Sequence, residues 1–230
     1  MKPRCLFEAL SLLAFLVAAT GVIAVSGADL AVSSLFYFDG KWPVGDSFFW
    51  QLLYHLDRIP SISLGAVGLA IFLISFARVE YCRWRRAGIF LLLLLLLGPG
   101  LLVNAVFKDN WGRPRPRDIV EFGGNKQFLH PWQKDADGTG RSFPSGHSSG
   151  AFFMAAPYLV YRSRDKRRAY AWLAGGLLFG IVMSIARITQ GAHFLSDTLW
   201  SFGMVSLVAL LLAWLLDLDG TSGAFPVPKE

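Results

Sequence analysis

At 54% hydrophobic residues, 17% charged residues and a mean hydropathy of +0.46 over 230 residues, the chain lies outside the composition of a water-soluble domain. Its formal charge of +6 reads as the Lys and Arg excess of cytoplasmic membrane loops, which argues against a nucleic-acid surface. The two cysteines, Cys5 and Cys82, fall beside expected cytoplasmic ends and make neither a disulfide framework nor a zinc motif.

A hydrocarbon core about 30 Å thick takes roughly 20 apolar residues per helix. Six segments come close, at 5–26, 59–77, 87–107, 146–161, 169–188 and 198–216. The sequence therefore predicts an all-α polytopic membrane protein with six transmembrane helices, forming one domain over residues 1–230. The first span follows Lys2 and Arg4 and ends in the small residues Ala24, Ser26 and Ala28, a pattern shared with secretory signals. Its apolar run is longer than a typical signal core, so it is read as a span. Residues 46–56 place Phe49, Leu52, Leu53 and Leu56 at helical spacing behind an Asp46 cap, which predicts an interfacial amphipathic helix. In the third span Leu91 to Leu97 is followed by Gly98, Pro99 and Gly100, where a kink or wide turn is expected. The fourth is short and rich in small residues (Gly146, Ser148, Ser149, Gly150, Ala151), as suits a helix buried among others.

Facing follows from the loops. Arg78, Arg83, Arg85 and Arg86 join the second and third spans, and Arg162, Arg164, Lys166, Arg167 and Arg168 join the fourth and fifth, so both loops are expected in the cytoplasm. The 29–58 loop sets Lys41 and Arg58 against Asp29, Asp39, Asp46 and Asp57, as expected of the opposite side. Both termini are then cytoplasmic. One loop departs from this rule: 108–142 carries Lys108, Arg113, Arg115, Arg117, Lys126, Lys134 and Arg141, yet helix parity puts it outside. An anion site accounts for that excess.

Parity also places three polar segments on one face: KDNWGRPRP at 108–116, PSGH at 144–147 and RITQGAHFLSD at 187–197. In the first, Lys108 sits at a helix end, and Arg115 lies between Pro114 and Pro116, which stiffen the backbone around it. A planar guanidinium can hold two phosphate oxygens while Lys acts as a point charge. In the second, Ser145 near the cap and Gly146 behind it offer a helix N-terminus to an anion, with His147 in the first turn. In the third, His193 and Asp197 are four apart, so on a helix they would share a face and the carboxylate would hold one imidazole nitrogen. That leaves the other nitrogen free as a nucleophile, with Arg187 in reach. Singly these segments also read as headgroup snorkelling, a capping turn and a structural hydrogen bond. Jointly they hold the groups that metal-free phosphoryl transfer requires.

The order and spacing of these motifs resemble the type 2 phosphatidic acid phosphatase superfamily, whose signature is K-x6-R-P, P-S-G-H and S-R-x5-H-x3-D. The resemblance covers roughly residues 59–216 and departs at Ala186, where the family pattern has Ser. It implies a membrane-embedded lipid phosphatase in which His193 attacks phosphorus to form a phosphohistidine and Asp197 orients the ring. His147 protonates the leaving lipid oxygen and then activates water. Lys108, Arg115, Arg187, Ser145 and the Gly146 backbone hold the phosphoryl oxygens. No metal or cofactor is required, and the expected partners are a membrane lipid phosphate and the bilayer. Compact architecture and short loops suggest a bacterial inner membrane, with the site facing the periplasm. The segment Asp118 to Arg141, with Phe122, Phe128, Trp132, Lys126, Lys134 and two adjacent glycines, is read as a substrate-recognition flap or a surface loop. Candidate substrates are lipid A, phosphatidylglycerophosphate, undecaprenyl diphosphate and phosphatidate. The WGRPRPRD and EFGG stretches resemble the superfamily's lipid A phosphatases. Competing readings are a lipid phosphotransferase with the same intermediate and a non-catalytic lipid-phosphate transporter.

Overall fold

A computed structural model describes residues 3–135 and 138–220; Lys2, residues 136–137 of the long loop and the outermost residues of both termini lie outside the described residues. Regular structure among the described residues is helical, with isolated bridges and no strand. Helix α1 (Pro3–Ser26) is turned by Gly27, at φ 66°, into the short α2 (Ala28–Ser34). Leu16 of α1 is fully buried over Gly203 of α9 (Leu195–Leu215), where a Cβ would collide with it. Trp200 Nε1 of α9 donates to Thr20 Oγ1 of α1 at 3.0 Å.

Helix α3 (Phe48–Leu56) leads through Asp57 into α4 (Arg58–Ala77). A short 3-10 turn, Val79–Trp84, then leads into α5 (Arg85–Leu95). Small residues let α4 and α5 approach closely: a Cβ on Gly68 would lie 2.8 Å from Leu91 Cβ and 3.0 Å from the Gly88 carbonyl. From Leu96 to Lys108 the helix widens to π geometry around Pro99. Pro lacks an N–H and its ring crowds the preceding turn, and the wider winding accommodates both. Asn104 Nδ2 donates to the Pro99 carbonyl at 2.6 Å. The wide turn expected at Gly98–Gly100 is thus a π-helical stretch.

The expected fourth span is two short helices, α6 (Gly146–Phe153) and α7 (Pro157–Tyr161). Pro157 cannot continue an i to i−4 ladder. Gly176 of α8 (Lys166–Thr189) also presses on the Met154–Ala155 backbone, where a Cβ would collide. Among the described residues, five helical segments are long and apolar enough to cross a membrane: Arg4–Ser26, Phe48–Ala77, Val79–Lys108, Lys166–Thr189 and Leu195–Leu215. Within the 46–56 segment Phe48–Leu56 is helical (α3), with Ser47 rather than Asp46 at its N-cap, and α3 is continuous with α4 in the second of these.

Phe90, Leu94, Val103, Phe143, Phe153 and Met204 centre the core between α5, α6 and α9. Outward faces stay apolar, with Val25 93% and Phe48 81% exposed, as suits helices whose solvent is hydrocarbon. At the end away from the candidate site, the buried Arg162 bridges Glu8 of α1 and Asp219 beyond α9, tying three parts of the chain together.

Candidate functional site

Local backbone geometry brings the three polar segments together. After Lys108 ends the π-helical stretch, Gly112 (φ 79°) pairs with Gly140, whose missing Cβ lets the chain pass against Arg113. Ser142 N then donates to the Arg113 carbonyl at 2.9 Å, delivering residues 142–147 to the site. Gly191 (φ 60°), under the Trp42 indole, turns the chain between α8 and α9, and its carbonyl accepts from Arg117 N at 3.1 Å.

His193 is fully buried. Its Nδ1 lies 2.6 Å from the Ser142 carbonyl, so that nitrogen carries the hydrogen and Nε2 presents its lone pair. Asp197 Oδ2 lies 3.7 Å from Nδ1, beyond hydrogen-bond range. This corrects the expectation that Asp197 holds the ring directly. Because α9 begins at Leu195, His193 lies outside the helix and four-residue spacing does not put the two side chains on one face. The carboxylate folds back instead, accepting from Phe194 N at 2.8 Å, Ser142 Oγ at 2.5 Å and Arg113 Nη1 at 2.5 Å. Burial pushes the His193 pKa down to about 3, against the opposing pull of Asp197, so the resting ring is neutral.

His147 stands in the first turn of α6, its ring stacked on Tyr54 at 5.0 Å and its Nε2 3.5 Å from Asp57 Oδ2. Arg187, in the last turn of α8, lies with its guanidinium 4.8 Å from the Tyr54 ring and donates to Gln190. A Cβ on Gly146 would collide with Asn104 Oδ1 and come within 3.2 Å of Lys108 Nζ, so only glycine lets the α6 N-terminus meet that ammonium. Ser145 is fully buried, and its oxygen accepts from Ser148 N at 3.3 Å and Ser148 Oγ at 2.9 Å, holding that first turn. Arg115 is half-buried, and burial followed by the nearby Arg117 lowers its pKa. Ala186 packs in an apolar cluster with Ala151 and Met183, so a serine there would face a helix neighbour.

Among the described residues, the buried side-chain nitrogens and oxygens without a hydrogen-bond partner are His147 Nδ1, Arg187 Nε and His193 Nε2. An unsatisfied buried polar group costs about 1–3 kcal/mol, so three belonging to one constellation mark a place built for a polar ligand. A cavity of about 490 Å³ runs from Lys108, Gly146 and His147 to an apolar end at Ile62, Leu95 and Leu96. Two smaller grooves, one lined by Pro60, Trp172 and Phe179 and one by Phe15, Ile181 and Leu199, are mainly apolar and carry none of these three groups.

Several residues around the site were not singled out as site residues from sequence. Tyr54 and Asp57 sit at the end of the amphipathic segment, where their only signal was polarity among apolar neighbours. Ser142, Arg113 and Asp29 had no local signal, since their role is long-range pairing. The 118–141 loop is anchored more than a free flap would be: Arg113 Nε donates to Leu129 O at 2.8 Å and Trp111 Nε1 to Pro131 O at 2.9 Å. Its Phe122 and Phe128 pack inward with Phe194, Tyr37 and Trp42, while Trp132 is exposed and stacks on His130. Among the described residues no group of three or more His, Cys, Asp or Glu side chains is placed to hold a metal ion.

The family model for the PAP2 superfamily matches residues 87–219. The lipid A 4'-phosphatase of Francisella tularensis subsp. novicida (strain U112) is 37% identical over 119 residues, 51% of this chain and 53% of that protein. The chain thus matches about half the length of that relative. Phosphatidylglycerophosphatase B of Bacillus subtilis (strain 168) is 28% identical over 156 residues, 65% of this chain and 68% of that protein. The crystal structure of a transmembrane PAP2 type phosphatidylglycerolphosphate phosphatase from Bacillus subtilis superposes with a TM-score of 0.60 at 20% identity, covering 94% of this chain and 99% of that one. At that identity the likeness speaks for the fold.

Proposed function

The chain belongs to the PAP2 superfamily, and from that premise we propose that it is a bacterial membrane lipid phosphatase working through a phosphohistidine. The observation that carries this reading is the set of partnerless buried nitrogens on His147, Arg187 and His193, beside a helix N-terminus and Lys108. His193 Nε2 attacks phosphorus while Nδ1 keeps its hydrogen on the Ser142 carbonyl. The charge that develops on the ring is offset by Asp197, 3.7 Å away. His147 gives a proton to the departing lipid oxygen and later takes one from water; Asp57, beside Nε2, leaves Nδ1 as its working atom.

Lys108, Arg115, Arg187 and the Gly146 N–H hold the phosphoryl oxygens, with Ser145 aiming the first turn of α6. No step calls on a metal ion. The apolar end of the cavity takes the start of an acyl chain while the phosphate lies at Lys108. In this reading α6 and α7 complete a sixth passage, α3 lies at the interface and the site opens at the periplasmic face of a bacterial inner membrane. Both termini are then cytoplasmic. Residues 1–230 act as one domain, and the substrate is a phosphomonoester or diphosphate on a lipid. Lipid A is favoured by the likeness to the Francisella protein, whose name gives that activity.

The test is phosphate release by purified protein in detergent with EDTA, across lipid A, phosphatidylglycerophosphate, undecaprenyl diphosphate and phosphatidate, beside His193→Ala. Release from at least one lipid that disappears in the variant is expected. Full inactivation by EDTA, or undiminished release by His193→Ala, overturns the mechanism.

A further inference from the structure

Behind His193, two carboxylates share one guanidinium. Arg113 is fully buried, with Nη1 2.5 Å from Asp197 Oδ1 and Nη2 2.8 Å from Asp29 Oδ2. Asp29 is 3% exposed and comes from α2, outside the 87–219 segment that carries the family match. Its Oδ1 accepts from Ser196 N at 2.8 Å and its Oδ2 from Ser196 Oγ at 2.6 Å, so it also caps the start of α9. Capping alone does not explain a charge here, because Asn caps helices about as well as Asp. Arg113 with Asp197 alone would already be neutral. Burying Asp29 therefore leaves one net negative charge in a dry site, which is destabilising unless something positive meets it.

We propose that Asp29 is a positioning residue that acts through Arg113 and Asp197 to keep one net negative charge behind His193, ready for the imidazolium that forms when His193 takes a phosphoryl group. The proposal rests on the phosphohistidine reading above. In that step the Nε2–P bond forms and a P–O bond breaks. The leaving oxygen takes its proton from His147, and the ring, still carrying its Nδ1 hydrogen, becomes a cation. The buried group then passes from one net negative charge to neutrality. The Ser142 carbonyl holds the tautomer, and the Asp29–Arg113–Asp197 group supplies the compensating field.

The test uses the full chain in detergent with ¹⁸O-labelled inorganic phosphate as the probe. Loss of label to water requires His193 to displace a phosphate oxygen as water and then to be hydrolysed, so it needs no knowledge of the lipid. Wild type exchanges and His193→Ala does not. Asp29→Asn is expected to lower exchange about 10- to 100-fold, the usual loss on removing such a supporting partner. Its half-saturating phosphate concentration stays as in wild type. The double variant Asp29→Asn/Arg113→Gln restores one net negative charge and regains part of the rate, whereas a purely structural pair would be damaged further. Thermal unfolding is recorded for each. Should Asp29→Asn not fold, the double variant decides: exchange above the His193→Ala background supports the proposal and background exchange overturns it. Wild-type exchange by Asp29→Asn, or a deeper loss in the double variant, overturns the charge account alone. No exchange by the wild-type protein removes the phosphohistidine reading and this proposal with it.

Discussion

Asp197→Asn separates a network role from a simple ring-orienting one. All three groups facing the Asp197 carboxylate are donors: Arg113 Nη1 at 2.5 Å, Ser142 Oγ at 2.5 Å and Phe194 N at 2.8 Å. An amide must turn its NH2 toward Arg113 or toward Phe194 N, so one donor meets a donor whichever way it flips. Removing one partner of a buried ion pair costs about 3–5 kcal/mol. Asp29 still holds Arg113 at 2.8 Å, which puts the loss at the lower end, about 3 kcal/mol. In a chain of this size that corresponds to a fall of about 6–12 °C in Tm. The assay is thermal unfolding in detergent beside wild type, with His193→Ala, which gives up the contact of Nδ1 with Ser142 O and leaves a buried cavity, as the inactive control. Both variants should lose phosphate release, and Asp197→Asn should melt about 6–12 °C below wild type. An Asp197→Asn protein melting within about 2 °C of wild type would refute the network reasoning.

Three further outcomes follow from the geometry. Gly146→Ala drives a Cβ into Asn104 and displaces the α6 N-terminus from Lys108, so phosphate release should fall on the order of 100-fold, as expected of a misplacement near 1 Å; release at the wild-type rate would argue against an anion seat there. His193 is held near pKa 3 by burial, below its ordinary 6.5, so the unfolded chain binds a proton that the folded one refuses. Stability is therefore lost as pH falls from about 6.5 toward 3, at up to about 1.4 kcal/mol per pH unit, and unfolding measured across that range should show a shallower slope in His193→Gln; parallel slopes would place the sensitivity elsewhere. Gly191→Ala meets both a left-handed backbone at φ 60° and the Trp42 indole, predicting about 1–3 kcal/mol of destabilisation by thermal unfolding. Adding Trp42→Ala should recover only the collision part, and full recovery would contradict the backbone contribution.

The expected spans at 5–26, 59–77, 87–107, 169–188 and 198–216 correspond to helices because apolar runs of membrane length admit almost no other backbone. The 146–161 segment divides between Phe153 and Pro157, where Gly176 presses on the Met154–Ala155 backbone, a contact that no local pattern records. The constellation of Lys108, Gly146, His147, Arg187 and His193 was legible because each residue sits at or beside the end of an apolar run, where a charged or polar group stands out in the sequence. The Asp197 contact was misread because a helical spacing rule was applied to His193, which stands before the helix it was assigned to. Phe122 and Phe128 looked like flap aromatics because nothing nearby in sequence announces Phe194, Tyr37 and Trp42 as their partners.

By itself the sequence determined the solvent of this chain, the places of its long apolar helices and the kinds of charge gathered at the site. Those properties depend on composition and on spacing within one turn or one span. Only the tertiary structure decided that the Ser142 carbonyl holds His193, that Asp197 answers to Arg113, and that Asp29 enters the site from a helix more than 80 residues away in sequence. Pairings between buried charges are set by which helix ends meet once the bundle has packed, and no local periodicity records that choice.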